Sequence, residues 1–199
     1  MDELIAALRA GRPVLLPADT VYGLASLPTE SAVAALYALK GRQPEQPTAL
    51  IAASAEQLLA VVPELDRRAL ISGPYTLVLP NPARRFPWLA GPRPEALGVR
   101  LPDLSSIARA VLEAVGPVAA TSANDPGGPD PVTLDDVPQR IRDACPALDA
   151  GPLPGIPSTV VDLTGSEPRV LREGAVPAAE AIARLQYDHG DGDRTADVR

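Results

Sequence analysis

The 24 prolines and 15 glycines of this 199-residue chain fall between short apolar runs, and that spacing limits what the chain can fold into. Together they make up about a fifth of the sequence, short of the ~25–30% that marks low complexity, so they act as punctuation between elements. Each run between them suits one strand or one short helix. None approaches the ~20 apolar residues of a membrane span. Hydrophobic residues account for 46% of the chain, which supports a real core and excludes general disorder.

Leu4, Ile5 and Leu8 give helical spacing across Asp2–Arg9, and Gly11 suits a C-terminal stop. Residues 14–16 read as a buried strand. Thr29 is placed to cap a helix over Glu30–Lys40, with Val33, Leu36, Tyr37 and Leu39 on or near its apolar face and Gly41 ending it. Residues 48–53 read as a strand, and Ser54 with Gln57 opens a short helix as a capping box. A helix is expected over 63–72, a strand over 75–79, and a long Pro- and Arg-rich loop over 81–94. A strand at 97–101 precedes a helix over 104–115 capped by Asp103, then a strand at 117–121. Thr133 with Asp136 resembles another helix start. Strands follow at 158–163 and 169–171, and a last helix at 178–185. Strands and helices interleave without repeats or a linker. This predicts one α/β domain over residues 1–186 with a mixed sheet, because some neighbouring strands lack a helix between them. Residues 187–199 read as a disordered polar tail.

Composition removes several function classes. Cys145 is the only cysteine and His189 the only histidine, which excludes an intramolecular disulfide, a Cys- or His-based metal site and a Ser-His triad. The acidic opening Met1-Asp2-Glu3 carries no basic region ahead of an apolar one, so no secretory leader is expected and a cytoplasmic location is. A net charge of −7, with one Phe and one Trp, argues against broad nucleic-acid binding and against a stacking platform for single strands. The patterns G-x-x-x-x-G-K-[ST], G-x-G-x-x-G and G-x-S-x-G are all missing.

What remains is a set of polar groups at strand and helix ends. The apolar run at 14–16 breaks into Asp19-Thr20, a pair that suits a local turn as well as a ligand contact. Lys40 and Arg42 flank Gly41, where they suit a helix C-terminus or an anion. Arg100 interrupts an apolar strand. Thr121-Ser122-Ala123-Asn124 leads into Gly127-Gly128, Ser158 opens a strand, and Arg172 closes one. In open α/β sheets, ligands lie where the loops beyond strand ends converge. Taken jointly, Lys40, Arg42, Arg100 and Arg172 with several hydroxyls suit an anionic ligand such as a nucleoside triphosphate.

Seven segments, in order, resemble the motifs of the YrdC-like family of threonylcarbamoyl-adenylate synthases. They are residues 17–24, Lys40-Gly41-Arg42, Ser72-Gly73-Pro74-Tyr75-Thr76, Gly98-Val99-Arg100-Leu101-Pro102, Ala120-Thr121-Ser122-Ala123-Asn124, residues 158–162 and Leu171-Arg172-Glu173-Gly174. The resemblance covers roughly residues 1–185 and implies the short, single-domain form. It implies a twisted mixed sheet with flanking helices and a concave, positively lined cavity. It also implies a reaction of L-threonine, bicarbonate and ATP giving threonylcarbamoyl-AMP and pyrophosphate, for a modification of tRNA made by downstream transfer machinery. The family's catalytic tetrad falls on Lys40, Arg42, Ser122 and Asn124, and these four with Arg172 are its ATP contacts. Its threonine contacts fall on Thr20, Tyr22, Arg100, Ala120 and Ser158. Mg²⁺ is expected to arrive with ATP, with no metal held by the protein itself.

The chain departs from the family pattern at four places. Ile51 stands where relatives carry a His facing the amino acid, and Gln46 where an Asn is common. Ser72 replaces a Pro, and Asp130 stands where a small hydroxyl residue is usual near the nucleotide. Two other readings stay open on the sequence: a relative that adenylates another carbamate or amino acid, and a non-catalytic RNA-binding module.

Overall fold

The computed structural model of the protein describes residues 1–190. Its strands are β1 (Val14–Pro17), β2 (Tyr22–Ser26), β3 (Ala49–Ile51), β4 (Tyr75–Pro80), β5 (Ala96–Arg100), β6 (Val118–Ser122), β7 (Thr159–Asp162) and β8 (Arg169–Arg172). Its helices are α1 (Asp2–Arg9), α2 (Glu30–Lys40), α3 (Ala55–Val61), α4 (Ser106–Val115), α5 (Gln139–Ala144) and α6 (Ala178–Gly190). The strands form one mixed sheet in the order β1-β2-β6-β3-β5-β4-β7-β8. The pairs β3–β5 and β4–β7 are parallel and the other five antiparallel. The α/β class and the mixed sheet are thus as the sequence predicts.

Alternation along the strands divides the sheet into two unlike faces. Leu15, Tyr22, Leu24, Leu50, Leu77, Leu79, Leu97, Val99, Ala119 and Val161 point to one side. There they pack with Val33, Leu36 and Tyr37 of α2, Leu58 of α3, Ile141 of α5 and Ala181 of α6. Leu36 and Leu58 are fully buried, and such burial stabilises by about 1.5–3 kcal/mol per side chain. On the other side, Val14, Leu16, Ala25 and Val118 pack with Leu4 and Leu8 of α1 and Val111 and Leu112 of α4. The remainder of that second face carries small residues, and there the cavity lies.

Local chemistry sets most boundaries. Thr29 Oγ1 accepts from Ala32 N at the start of α2, and Gly41 ends the helix with φ +71°, a left-handed turn that favours glycine. Ser54 Oγ accepts from Gln57 N at the start of α3. The Gln57 side chain reaches Ala53 N rather than the cap's own amide, so only half of the capping box forms as expected. Thr133 and Asp136 make the complete box, but it opens only a short 3-10 turn before α5.

Several expectations are corrected. Residues 63–72 hold only a 3-10 turn, Arg67–Ala69, with Asp66 accepting from Arg68 N at its start. The segment lacks the apolar periodicity that would seat a helix on the sheet. Ser105, not Asp103, caps α4; Asp103 N instead donates to Asp19 Oδ2 at 3.2 Å. Strand β2 and helix α5 were not anticipated. Helix α6 runs on to Gly190, past the expected end at 185 and into the segment read as tail. The rest of that tail, 191–199, lies outside the described residues.

Candidate functional site

The small residues of the second face are matched strand to strand. Ala49 of β3 stands opposite Ala120 of β6, Gly98 of β5 opposite Val78 of β4, and Thr76 of β4 opposite Val160 of β7. With Gly23 of β2 they floor a cavity of about 360 Å³. Larger side chains at Gly23, Ala49, Gly98 and Ala120 would fill it. Around this floor stand Thr20, Arg42, Arg93, Arg100, Ser122, Asp130, Ser158 and Arg172.

Each cation arrives by a different route. The left-handed turn at Gly41 separates Lys40 from Arg42. Arg42 reaches the cavity wall, where Nη2 donates to Pro47 O at 2.6 Å and Nη1 to Thr121 Oγ1 at 3.3 Å. Its burial lowers its pKa, yet an Arg stays charged at any ordinary pH. Arg100 emerges from β5, is 8% exposed, and donates through Nη2 to Thr20 Oγ1 at 3.0 Å and to the Asp19 carboxylate. Burial pushes its pKa down, against the pull of Asp19 upward, and its Nε has no hydrogen-bond partner. Arg172 comes from the edge strand β8 and donates to Ser158 O at 2.7 Å and to Ser158 Oγ at 3.2 Å. Ser158 Oγ, just ahead of β7, and Thr76 Oγ1 of β4 are 2.8 Å apart.

Behind this wall, Lys40 donates to both the backbone and side-chain oxygens of Asn124. Ser122 Oγ donates to the same Asn124 Oδ1 at 2.7 Å, and Asn124 Nδ2 donates to Gly128 O at 2.6 Å. Asn124 thereby ties the end of α2 to the end of β6 and to the glycine turn. Lys40 is 3% exposed, and burial followed by the Arg42 charge lowers its pKa to about 8; Asp130 and Asp125 pull it partly back up.

Of the residues singled out in the sequence, Thr20, Arg42, Arg100, Ala120, Ser122, Ser158 and Arg172 line one cavity. Lys40 and Asn124 do not line it; they stand one layer back, joined to it through Ser122. Tyr22 is the clear correction. It lies on the opposite sheet face in the core, and its hydroxyl donates to Asp149 Oδ1 at 3.0 Å and Gly151 O at 2.9 Å. It anchors the loop leading to Ser158 rather than touching the cavity. Asp19, read as a turn residue, is also the partner of Arg100. Ile51 and Asp130, two of the departures, do line the cavity, whereas Gln46 does not.

Arg93 was missed. It stands on the long loop before β5 and lines the cavity. It donates through Nη1 to Asp162 Oδ2 at 2.8 Å and through Nη2 to Thr164 Oγ1 at 2.7 Å. Burial pushes the Asp162 pKa up, but hydrogen bonds from Thr164 and Arg93 outweigh it and hold the carboxyl at about 2. Within a run of Pro and Arg, nothing distinguishes Arg93 from Arg84 or Arg85.

The fold and site together define a mixed α/β sheet with a basic, hydroxyl-rich hollow on one face, which is suited to small anionic ligands. The family model described as "Telomere recombination", built on the Sua5, YciO and YrdC proteins, matches residues 6–174, and the chain belongs to that family. A Mycobacterium tuberculosis relative is 38% identical over 190 residues, covering 91% of this chain and 86% of its own. The threonylcarbamoyl-AMP synthase of Chromohalobacter salexigens is 35% identical over 174 residues, covering 83% of this chain and 93% of that one. Among solved structures, Pyrococcus abyssi Sua5 complexed with L-threonine matches with a TM-score of 0.81 and 33% identity. The match covers 91% of this chain and 55% of that one, so the present chain spans little more than half of the archaeal protein.

Proposed function

We propose that the protein is a threonylcarbamoyl-AMP synthase, joining L-threonine, bicarbonate and ATP into threonylcarbamoyl-AMP and pyrophosphate. One observation carries this reading: Arg42, Ser122 and Arg172 share a single hollow with Thr20, Arg100 and Ser158. The curated relatives that bear this name, and the archaeal relative crystallised with L-threonine, support it.

In this reading Arg100 takes the threonine carboxylate, while Asp19 and Thr20 hold the guanidinium in place. Ser158 and the backbone at Ala120 receive the amino group. Arg42, Arg172 and Ser122 hold the triphosphate, and Lys40 adds its charge from behind through Asn124. The neutral amine forms a C–N bond to the carbon of bicarbonate, whose hydroxyl leaves with an amine proton as water, or to carbon dioxide, where one C=O π bond opens and the amine proton passes to solvent. Either route gives a carbamate. A carbamate oxygen then bonds to the α-phosphorus as the bond to pyrophosphate breaks. No protein nucleophile is required. Positioning two anions side by side and offsetting their charge is the main demand, and fixed cations in a shielded hollow meet it.

Mg²⁺ arriving with ATP would supply further charge neutralisation on the triphosphate. Such a cation keeps several waters and is bound chiefly through phosphate oxygens, with at most one or two carboxylates. The product, a mixed anhydride, would pass to an enzyme that transfers the threonylcarbamoyl group to tRNA. With a net charge of −7, direct tight binding of nucleic acid is not part of this reading. Among the described residues no helix is long and apolar enough to cross a membrane.

The test is to follow pyrophosphate and the adenylate by mass in a mixture of protein, ATP, bicarbonate and threonine. Product should vanish without threonine or bicarbonate, and with Arg42→Ala. Serine is expected to substitute more readily than in relatives, because the apolar Ile51 faces the cavity. No pyrophosphate from the complete mixture would remove the proposal.

A further inference from the structure

Asp130 is the only acidic side chain among the described residues lining the cavity. It lies between Pro129 and Pro131, and both flanks are tied down. Asn124 Nδ2 holds Gly128 O at 2.6 Å, and Tyr22 N holds Pro131 O at 3.0 Å. Residues before proline are confined to extended backbone, so the carboxylate is presented from a stiff segment. Its charge is felt by Lys40, yet the Lys40 ammonium bonds to Asn124, and Asp130 makes no hydrogen bond or ion pair among the described residues. A half-buried carboxylate left unpaired in a hollow of arginines is an arrangement that needs a reason.

An unpaired carboxylate beside a triphosphate repels it, unless a cation stands between them. Mg²⁺ in nucleotide sites takes one or two carboxylates together with phosphate oxygens and water. Asp130 lines the cavity and stands close enough for its charge to act on Lys40, which joins the cavity wall through Asn124 and Ser122. The phosphates lie on that side if the site binds ATP, and this inference rests on that reading. We propose that Asp130 is the protein's own ligand to the divalent cation that accompanies the nucleotide, so that this chain selects the metal–nucleotide complex over free nucleotide. A small hydroxyl side chain at that position would lack the charge to make this selection.

The test compares ATP affinity by calorimetry in excess Mg²⁺ and in EDTA, for the full-length protein and for Asp130→Asn and Asp130→Ser. Residue 130 is half-exposed on a loop, so both variants should fold, as a thermal melt will verify. Mg²⁺ should tighten ATP binding to the unaltered protein, and both variants should shrink that gain by about tenfold, with metal-free ATP binding them more tightly than it binds the original. In a second measurement on the unaltered protein alone, the Mn²⁺ electron paramagnetic resonance signal of Mn²⁺·ATP should change on binding; an unchanged signal overturns the proposal. A gain from Mg²⁺ that survives in both variants overturns it too. Equal weakening with and without metal also overturns it, since Asp130 would then be accepting a hydrogen bond from the nucleotide itself. Failure of the unaltered protein to bind ATP under either condition would instead sink the nucleotide reading, a result distinct from the other three.

Discussion

At Lys40 and Arg100 the site's charges are bought into low-dielectric surroundings, and their partners decide the cost. The Lys40 pKa lies near 8 in the folded chain against an ordinary 10.5, so the unfolded chain binds more protons between those values. Stability contributed by this group is therefore lowest below pH 8 and rises as pH climbs to 10.5. The unfolding free energy of the native protein minus that of Lys40→Met should grow over this window in urea titrations; a flat difference would contradict the assignment. Arg100 depends on Asp19, both nearly fully buried. Asp19→Ala should cost about 3 kcal/mol or more, because removing one partner leaves a buried charge uncompensated. A loss below about 1 kcal/mol, the range of a surface pair, would mean the pair is solvated. At this scale much was legible: Arg42, Arg100 and Arg172 break patterns at element ends, where a cation asks for a reason. Tyr22 was not, because its face depends on the register of β2, which only pairing with β1 and β6 fixes.

The elements carry the site through what they omit. Gly98 lies on the cavity floor, where an added Cβ would meet Ala49 and Thr76 at ordinary distances of 3.7–3.8 Å. Gly98→Val should therefore fold with a nearly unchanged Tm while losing nucleotide and threonine binding, since its branches fill the hollow. A large fall in Tm would show that the glycine serves packing instead. Gly174 differs, because a Cβ there would overlap the carbonyls of Pro157 and Ser158. Gly174→Ala should destabilise by about 1–3 kcal/mol, as overpacking does, and should loosen Arg172 from Ser158, measurable as a lower Tm with weaker ATP binding. Helix α2 was legible to the residue because Thr29 and Gly41 mark both ends chemically. The 63–72 segment was not, since a run without periodicity leaves tertiary packing to choose, and packing chose a turn. Strand β2 begins within a few residues of β1 and contains Gly23, so no punctuation announced it.

Across the whole molecule, one sheet separates a packed face from a hollow one, and chain segments far apart in sequence meet over the hollow. The order β1-β2-β6-β3-β5-β4-β7-β8 brings residues from β2, β3, β5 and β6 side by side at its centre. Motif order along the chain was readable, but adjacency across the sheet was not, because crossovers decide it. Arg93 enters the site only through that adjacency, whereas Asp130 is already marked by its place in a family motif. The central claim is that this hollow holds ATP and L-threonine together. A crystal structure with L-threonine and a non-hydrolysable ATP analogue tests it most directly. Both ligands are expected in the one cavity, phosphates against Arg42 and Arg172 and the amino-acid carboxylate against Arg100. Either ligand bound elsewhere, with those arginines untouched, would contradict it.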